Sequence, residues 1–261
     1  MAINVMAWIT ALLWFLPLGF AIWSALHAPT ALPGLSDPLT LANFTTAWEQ
    51  APFARYLLNT VALVLMILVV QLVLGTLAAY AFARLEFPGR GLLFTLVLLQ
   101  LLVVPDVLMV ENYAMIRKLG LLDTILAIGL PYFASAFCIF LLRQTFLSVP
   151  RELDDAARIE GCSIAGVLWR VYVPLAWPTY VAFALVSVSH HWNNFLWPLI
   201  VTNSLETRPV TVGLSIFSAP DSGVQWAVIN AATLMTSGPL LIAFLIFQRQ
   251  FVQSFMRAGI K

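Results

Sequence analysis

Residues 149–174 read VPRELDDAARIEGCSIAGVLWRVYVP, the most highly charged stretch in a chain otherwise dominated by apolar residues. Long apolar segments flank it on both sides, which places it in water between two membrane crossings. Pro150 suits the first position of a helix, where its missing N–H costs nothing. Glu152, Asp154 and Asp155 put acid in the first turns, where the helix dipole favours it. Arg158 and Glu160 follow, and Gly161 interrupts the pattern. Ser163 caps what comes next, with Ile164, Val167, Leu168 and Val171 at helical spacing. The expectation is two short helices bent at a glycine. Ala156 and Ala157 leave no bulk beside the bend, so a partner's groove can approach the backbone. An amphipathic segment lying on the bilayer surface accounts for the periodicity but not for the small face.

Composition bounds the class. A chain of 261 residues that is 61% hydrophobic and 10% charged, with mean hydropathy +0.93, is not an ordinary soluble domain. It reads as a polytopic membrane protein. A net charge of +1 offers nothing to nucleic acid or to an acidic partner. Cys138 sits in an apolar run and Cys162 in the charged loop, which is neither metal-site spacing nor the setting of a disulfide.

Six stretches reach the roughly 20 residues that a helix needs to cross the hydrocarbon core. They are 6–26, 56–83, 91–110, 124–146, 175–200 and 224–248, with the charged loop at 147–174 between the fourth and fifth. Pro17 and Gly19 mark a kink in the first. A cleaved signal peptide competes for that segment, against a missing basic n-region and too long an apolar run. His27 to Ala54 reads as an external loop. With the N-terminus inside, Arg84, Arg90, Arg143, Arg151, Arg158, Arg170, Arg249, Arg257 and Lys261 face the cytoplasm. Arg55, Arg117, Lys118 and Arg208 remain outside, so the positive-inside rule puts both termini and the 147–174 loop in the cytoplasm.

Asp155-Ala156-Ala157, three residues, Gly161, nine residues, then Val171-Tyr172-Val173-Pro174 resembles the coupling loop of permease subunits of ATP-binding-cassette importers. That family's pattern is Glu-Ala-Ala, three residues, Gly, nine residues, Ile, one residue, Leu-Pro; the spacing agrees, with Asp155, Val171 and Val173 as conservative departures. Asn43, Phe44 and Trp48, the run Leu119–Thr124, Phe140–Gln144 and Trp192–Leu199 are similar to the carbohydrate-uptake branch of the same family. What the resemblance implies is an all-α, polytopic transmembrane bundle of six helices with the type I importer permease fold. It also implies an assembly in the bacterial inner membrane. This chain pairs there with a second permease, two ATPase subunits that hold ATP and Mg, and a periplasmic or lipid-anchored solute-binding protein. On this chain no cofactor is expected. Glu152, Asp154, Asp155, Ala156, Ala157, Arg158, Glu160, Gly161 and Pro174 are the expected ATPase-coupling residues, with the Arg257–Lys261 tail as a further contact.

Ser187, His190, Asn194 and Trp197 recur at i, i+3, i+7 and i+10, with His191 and Asn193 alongside, about 22 Å along the fifth span at 1.5 Å per residue. Hydroxyls of a sugar take hydrogen bonds from such side chains and its apolar face lies on Trp, so this face is the candidate substrate wall. Interhelical bonding is the alternative use of the same residues. Gln100 and Asp106 of the third span are further lining candidates, although Asp106 near the span end also has Arg117 as a potential ion-pair partner. Asn59 and Gln71, and Asn230, Thr233 and Ser237, read as packing contacts. No phosphate loop, nucleophile–base arrangement or metal-ligand spacing is present in the sequence, so energy has to come from another subunit. An ion-driven secondary transporter, a scaffold or membrane enzyme without transport, and an ABC permease for a non-carbohydrate solute are the readings set against a sugar or polyol importer.

Overall fold

A computed structural model describes residues 2–27, 38–218 and 225–259. In chain order the helices are α1 (Ala2–Ala25), α2 (Ala42–Gln50), α3 (Phe53–Arg84), α4 (Arg90–Leu99), α5 (Met109–Lys118), α6 (Ile125–Gly129) and α7 (Ala136–Ser148). They continue as α8 (Arg151–Ile159), α9 (Ile164–Val167), α10 (Val173–Leu175), α11 (Trp177–Trp192), α12 (Leu196–Val201), α13 (Val210–Gly213) and α14 (Trp226–Gly259). A π-helical turn, Leu168–Tyr172, joins α9 to α10. No strand occurs among the described residues.

Among the described residues three helical segments are individually long and apolar enough to cross a membrane: Asn4–Ala25, Phe53–Arg84 and Trp226–Ile246. Three more spans arise only if bent helix pairs are each taken as one: Arg90–Leu102 with Pro105–Lys118 (92°), Ile125–Tyr132 with Ala136–Ser148 (49°), and Ile164–Leu175 with Trp177–Trp192 (74°). The expected 91–110 and 124–146 segments are therefore not straight rods, and 175–200 is interrupted at 193–195, between α11 and α12, with the 74° bend at its start. Proline supplies part of the cause: Pro105 opens the turn after the first break, Pro131 precedes the second, and Pro178 lacks the N–H that would carry the helix past Ala176. Hydropathy counts apolar residues and is blind to such breaks.

Other departures are local. The expected external loop 27–54 contains α2, while residues 28–37 lie outside the described residues. Pro150 is the N-cap of α8, one residue before the expected position. Helix α14 continues to Gly259; Ile260 and Lys261 of the expected ATPase-contacting tail lie outside the described residues, as does the start of the 224–248 span.

The chain divides into two compact units. One comprises residues 1–60 and 204–242. In it, Asn43 of α2 donates to the carbonyls of Ala25 (2.8 Å) and His27 (2.6 Å), satisfying carbonyls left open where α1 ends. Phe53, Tyr56, Val210, Phe217, Val228 and Ala232 form its apolar core. Asn59 holds the carbonyls of Glu206 and Arg208, and Thr60 accepts from the Val210 N–H, so the start of α3 organises the 204–210 segment. Helix α1 is apolar on every side, and among the described residues nothing buries most of its spanning stretch before Ser24, a surface made for lipid or another apolar helix.

Gly213 is where this core is tightest. A Cβ built there would stand 2.3 Å from the ring of Tyr56, which is fully buried. Gly213→Ala is expected to destabilise the protein by about 1–3 kcal/mol through overpacking. Gly238 has nothing within 4 Å of a built Cβ, so Gly238→Ala should hold or raise the melting temperature. Thermal unfolding of the two variants in detergent compares them directly.

The second unit comprises residues 61–203 and 243–261. Its two apolar clusters flank the cavity described below: Leu63, Ile67, Ile116, Ile128, Trp197 and Val201 on one side, Tyr80, Leu142, Phe146, Val167, Tyr172 and Phe183 on the other. Helices α3 and α7 approach closely because Gly75 faces Cys138; a Cβ at Gly75 would lie 2.4 Å from the sulfur. Both cysteines are free thiols.

Candidate functional site

The second unit contains a cavity of about 350 Å³. Its polar lining is Gln71, Gln100, Asp106, Asn112, Tyr132, Ser135, Ser187, His190 and His191, set among apolar groups such as Phe137, Phe183 and Val186. The helix breaks at residues 103–104 and 133–135 open onto it. Irregular backbone within a membrane is tolerated where it lines a cavity and where its freed polar groups find partners. Gln100 supplies those partners at the second break: its Nε2 donates to the Ala134 carbonyl (3.1 Å) and its Oε1 accepts from the Ala136 N–H (2.9 Å). Ser135 caps α7 by accepting from the Cys138 N–H.

Gln71, in the middle of α3, is the hub of the site. Its carbonyl oxygen accepts from the Ser187 hydroxyl at 2.6 Å, and its amide nitrogen donates to the Tyr132 carbonyl at 2.7 Å and stands 3.3 Å from His191 Nε2. Donation to that nitrogen leaves the imidazole proton on Nδ1, which makes no hydrogen bond among the described residues. Tyr132 packs against the His191 ring at 4.8 Å, and its hydroxyl accepts from Asn194 Nδ2 at 2.7 Å. The arrangement presents hydroxyl, imidazole and amide groups around a small apolar chamber, the chemistry that binds a polyhydroxylated solute. No Lys or Arg occurs among the lining residues.

The expected wall is thus partly assembled and partly replaced. Ser187, His190, His191, Trp197, Gln100 and Asp106 all line the cavity. Asn193 and Asn194 do not. Helix α11 ends at Trp192, so the i to i+10 periodicity does not continue to 194 and 197. Asn193 bonds back to the Ser189 carbonyl at the helix end, and Asn194 braces Tyr132. Trp197 is 4% exposed and spends its N–H on the Ile128 carbonyl at 3.2 Å, which makes it a core residue rather than a free stacking platform. No ion pair joins Asp106 to Arg117; Asp106 is exposed at the cavity wall. Gln71 departs furthest from expectation, being a cavity residue instead of a packing contact. The signal available was a lone amide within a long apolar helix. Nothing in the sequence marked Tyr132, which reaches the site only because its helix breaks.

At the charged loop, α8 is closed by Gly161, two residues past its last turn, with φ +82°, the left-handed conformation that glycine adopts without cost. The Cys162 N–H bonds the Ala157 carbonyl and the Gly161 N–H the Arg158 carbonyl, which closes the helix end. Ser163 caps α9 by accepting from the Gly166 N–H at 3.2 Å. Glu152, Asp155, Ala156, Arg158, Glu160, Gly161 and Pro174 are exposed. Asp154 and Ala157 face inward and are 8% exposed, so they are unavailable to a partner; one turn of α8 packs on this chain, and those two positions lie on that face. Ile159 (86% exposed), Ile164 and Trp169 add apolar surface to the outer side, which the charge pattern did not reveal.

Comparison with known proteins gives a consistent result. Residues 71–257 match the family described as binding-protein-dependent transport system inner membrane component. The chain is 35% identical over 228 residues to the arabinooligosaccharides transport system permease protein AraQ of Halalkalibacterium halodurans, covering 86% of this chain and 81% of that one. It is 32% identical over 231 residues to the sn-glycerol-3-phosphate transport system permease protein UgpE of Yersinia pestis, with the same shares covered. A crystal structure of a bacterial ABC transporter that imports the acidic polysaccharide alginate contains a chain of the same fold, with TM-score 0.86, 22% identity and 96% and 95% of the two chains covered.

Proposed function

We propose, from the premise that this chain belongs to the family of binding-protein-dependent transport system inner membrane components, that it is one half of a permease importing a neutral sugar or polyol. As a permease subunit of an ATP-binding-cassette importer it is a multi-pass inner-membrane protein and does not itself hydrolyse ATP. The proposal adds its partners: a second, different permease, two ATPase subunits holding ATP and Mg, and a solute-binding protein that delivers the cargo, with lipid around the spans. Both termini lie in the cytoplasm, following the distribution of basic residues.

The observation that carries the reading is the pairing of two features in one compact unit: a polar cavity at broken helices, and a charged helix–glycine–helix with an exposed apolar outer side. ATP closes the ATPase dimer, the outer face of α8 rides with it, and the helices around the cavity rock to open it outward; hydrolysis reverses this. Exposed Ile159 and Trp169 suit a protein groove better than water. Relatives of this chain are named for an oligosaccharide and for a phosphorylated polyol. The wall supplied here has imidazoles, amides, hydroxyls and one carboxylate and no Lys or Arg, which favours the uncharged class.

Transport in proteoliposomes holding the whole assembly tests this. Uptake is expected to require ATP on the loop side and the binding protein on the other, with neutral oligosaccharides competing and phosphate esters not. Uptake that persists after ATP depletion under a maintained ion gradient sinks the importer reading; competition by phosphate esters alone sinks the substrate class.

A further inference from the structure

Beneath α8 lies a group of polar side chains that neither the cavity nor the outer face of the loop uses. Asp154 is 8% exposed, Tyr80 4% and Tyr172 fully buried. The Asp154 carboxylate lies within reach of the Tyr172 hydroxyl and acts on that of Tyr80 only through its charge, with Arg158 within reach of the Tyr80 hydroxyl. Tyr80 is in the last turns of α3 and Tyr172 in the π turn; their rings meet edge-on at 5.3 Å, and both meet Phe146 of α7. Arg84, the last residue of α3, lies over the Tyr172 ring, its guanidinium carbon 5.0 Å from the centre. It also donates to the carbonyls of Phe146 and Val149, where α7 ends and the chain turns into α8. Four elements of the second unit, α3, α7, α8 and the π turn, therefore converge on one polar group seated among Ala83, Val149, Ala157 and Val167.

A carboxylate that is nine-tenths buried is costly unless something holds it there, and an apolar residue would make the simpler seat. Among the described residues Asp154 Oδ1 and Arg84 Nε make no other hydrogen bond. The Tyr172 hydroxyl is the group placed to hold the Asp154 carboxylate, and through the Tyr172 ring, which Arg84 covers, α8 is tied to the end of α3. We propose that Asp154, Tyr172, Tyr80 and Arg84 form a latch fastening α8 to the end of α3, so that a push on α8 reaches Gln71 along one unbroken helix. Arg84 and Gln71 are about 20 Å apart at 1.5 Å per residue. Helix α11, by contrast, is separated from the loop by the 74° turn at Ala176. Asp154 is on this account a positioning residue, and the latch rests on the docking of α8 proposed above.

Asp154→Asn, Tyr172→Phe and the double variant, each in the full assembly, read it out as substrate moved per ATP hydrolysed. Each single change is expected to lower that ratio about tenfold with the ATPase subunits still bound, and the double to be no worse than the poorer single. An unchanged ratio, multiplicative effects, or loss of the ATPase subunits from Asp154→Asn overturns the latch. Hydrogen exchange on the full chain alone separates this from the docking reading. Amides of Leu153–Ile159 should exchange about tenfold faster in Asp154→Asn while those of the α3 centre are unchanged; unaltered α8 exchange overturns the latch even if docking holds. A wild-type chain that binds no ATPase sinks docking and leaves the exchange result standing. Tyr172→Phe keeps the ring and its packing, and carries both readouts if Asp154→Asn does not insert.

Discussion

Gln71→Leu is expected to lower uptake about a hundredfold while the protein remains inserted and assembled. Leucine fills much of the same volume, but it strands the Ser187 hydroxyl, the Tyr132 carbonyl and His191 Nε2, all of which Gln71 now serves. Each stranded group costs about 1–3 kcal/mol, and the low dielectric of the site magnifies the loss. Loss of the three partners, at the low end of that range, is thus worth about 3 kcal/mol, or a hundredfold. The cost falls where the cavity has to keep one geometry, because Tyr132 sits at a helix break and Gln71 holds its backbone carbonyl. Gln71→Glu separates the roles: it keeps the acceptor for Ser187 and loses both donations, so it should fall between leucine and wild type. Initial rates of labelled solute uptake measure the series. Leucine within threefold of wild type would return Gln71 to the status of a packing contact.

Gly161→Val is expected to break the link between ATP turnover and uptake, lowering transport per ATP at least about tenfold, whereas Gly161→Asn should stay near wild type. Space is not the obstacle, since a Cβ at Gly161 meets nothing within 4 Å. Backbone conformation is. At φ +82° an L-residue pays about 1–2 kcal/mol, Asn is among the side chains that tolerate the region, and a β-branched one is a genuine outlier. Valine therefore forces the chain out of the turn that closes α8 and redirects α9, without touching the exposed acids. Equal coupling in the two variants would show that the bend is not needed for transmission.

Much of the functional reading was legible before any coordinates. The glycine spacing after Asp155-Ala156-Ala157 announced a helix, a bend and a second helix, because φ preference and capping are local. Apolar run length announced membrane residence for the same reason. The cavity was legible only in part. His190, His191 and Ser187 were found because they share a helix, while Asn194 and Trp197 were grouped with them on a periodicity that stops at Trp192. Gln71 was passed over because an isolated amide looks alike whether it binds a neighbouring helix or frames a cavity. Asp154 was assigned outward because its charge said water, while its burial depended on Tyr80 and Tyr172, distant in sequence.

The order of residues by itself determined the membrane class, the candidate spans and the helix–glycine–helix of the loop, since each follows from interactions within a few turns of chain or between chain and solvent. Tertiary structure alone decided where those spans break, which polar side chains meet at Gln71, and which face of α8 turns inward. Those outcomes depend on contacts between segments far apart in sequence, where a broken helix has to find partners for its freed backbone and a buried charge has to be seated, and no local pattern encodes them.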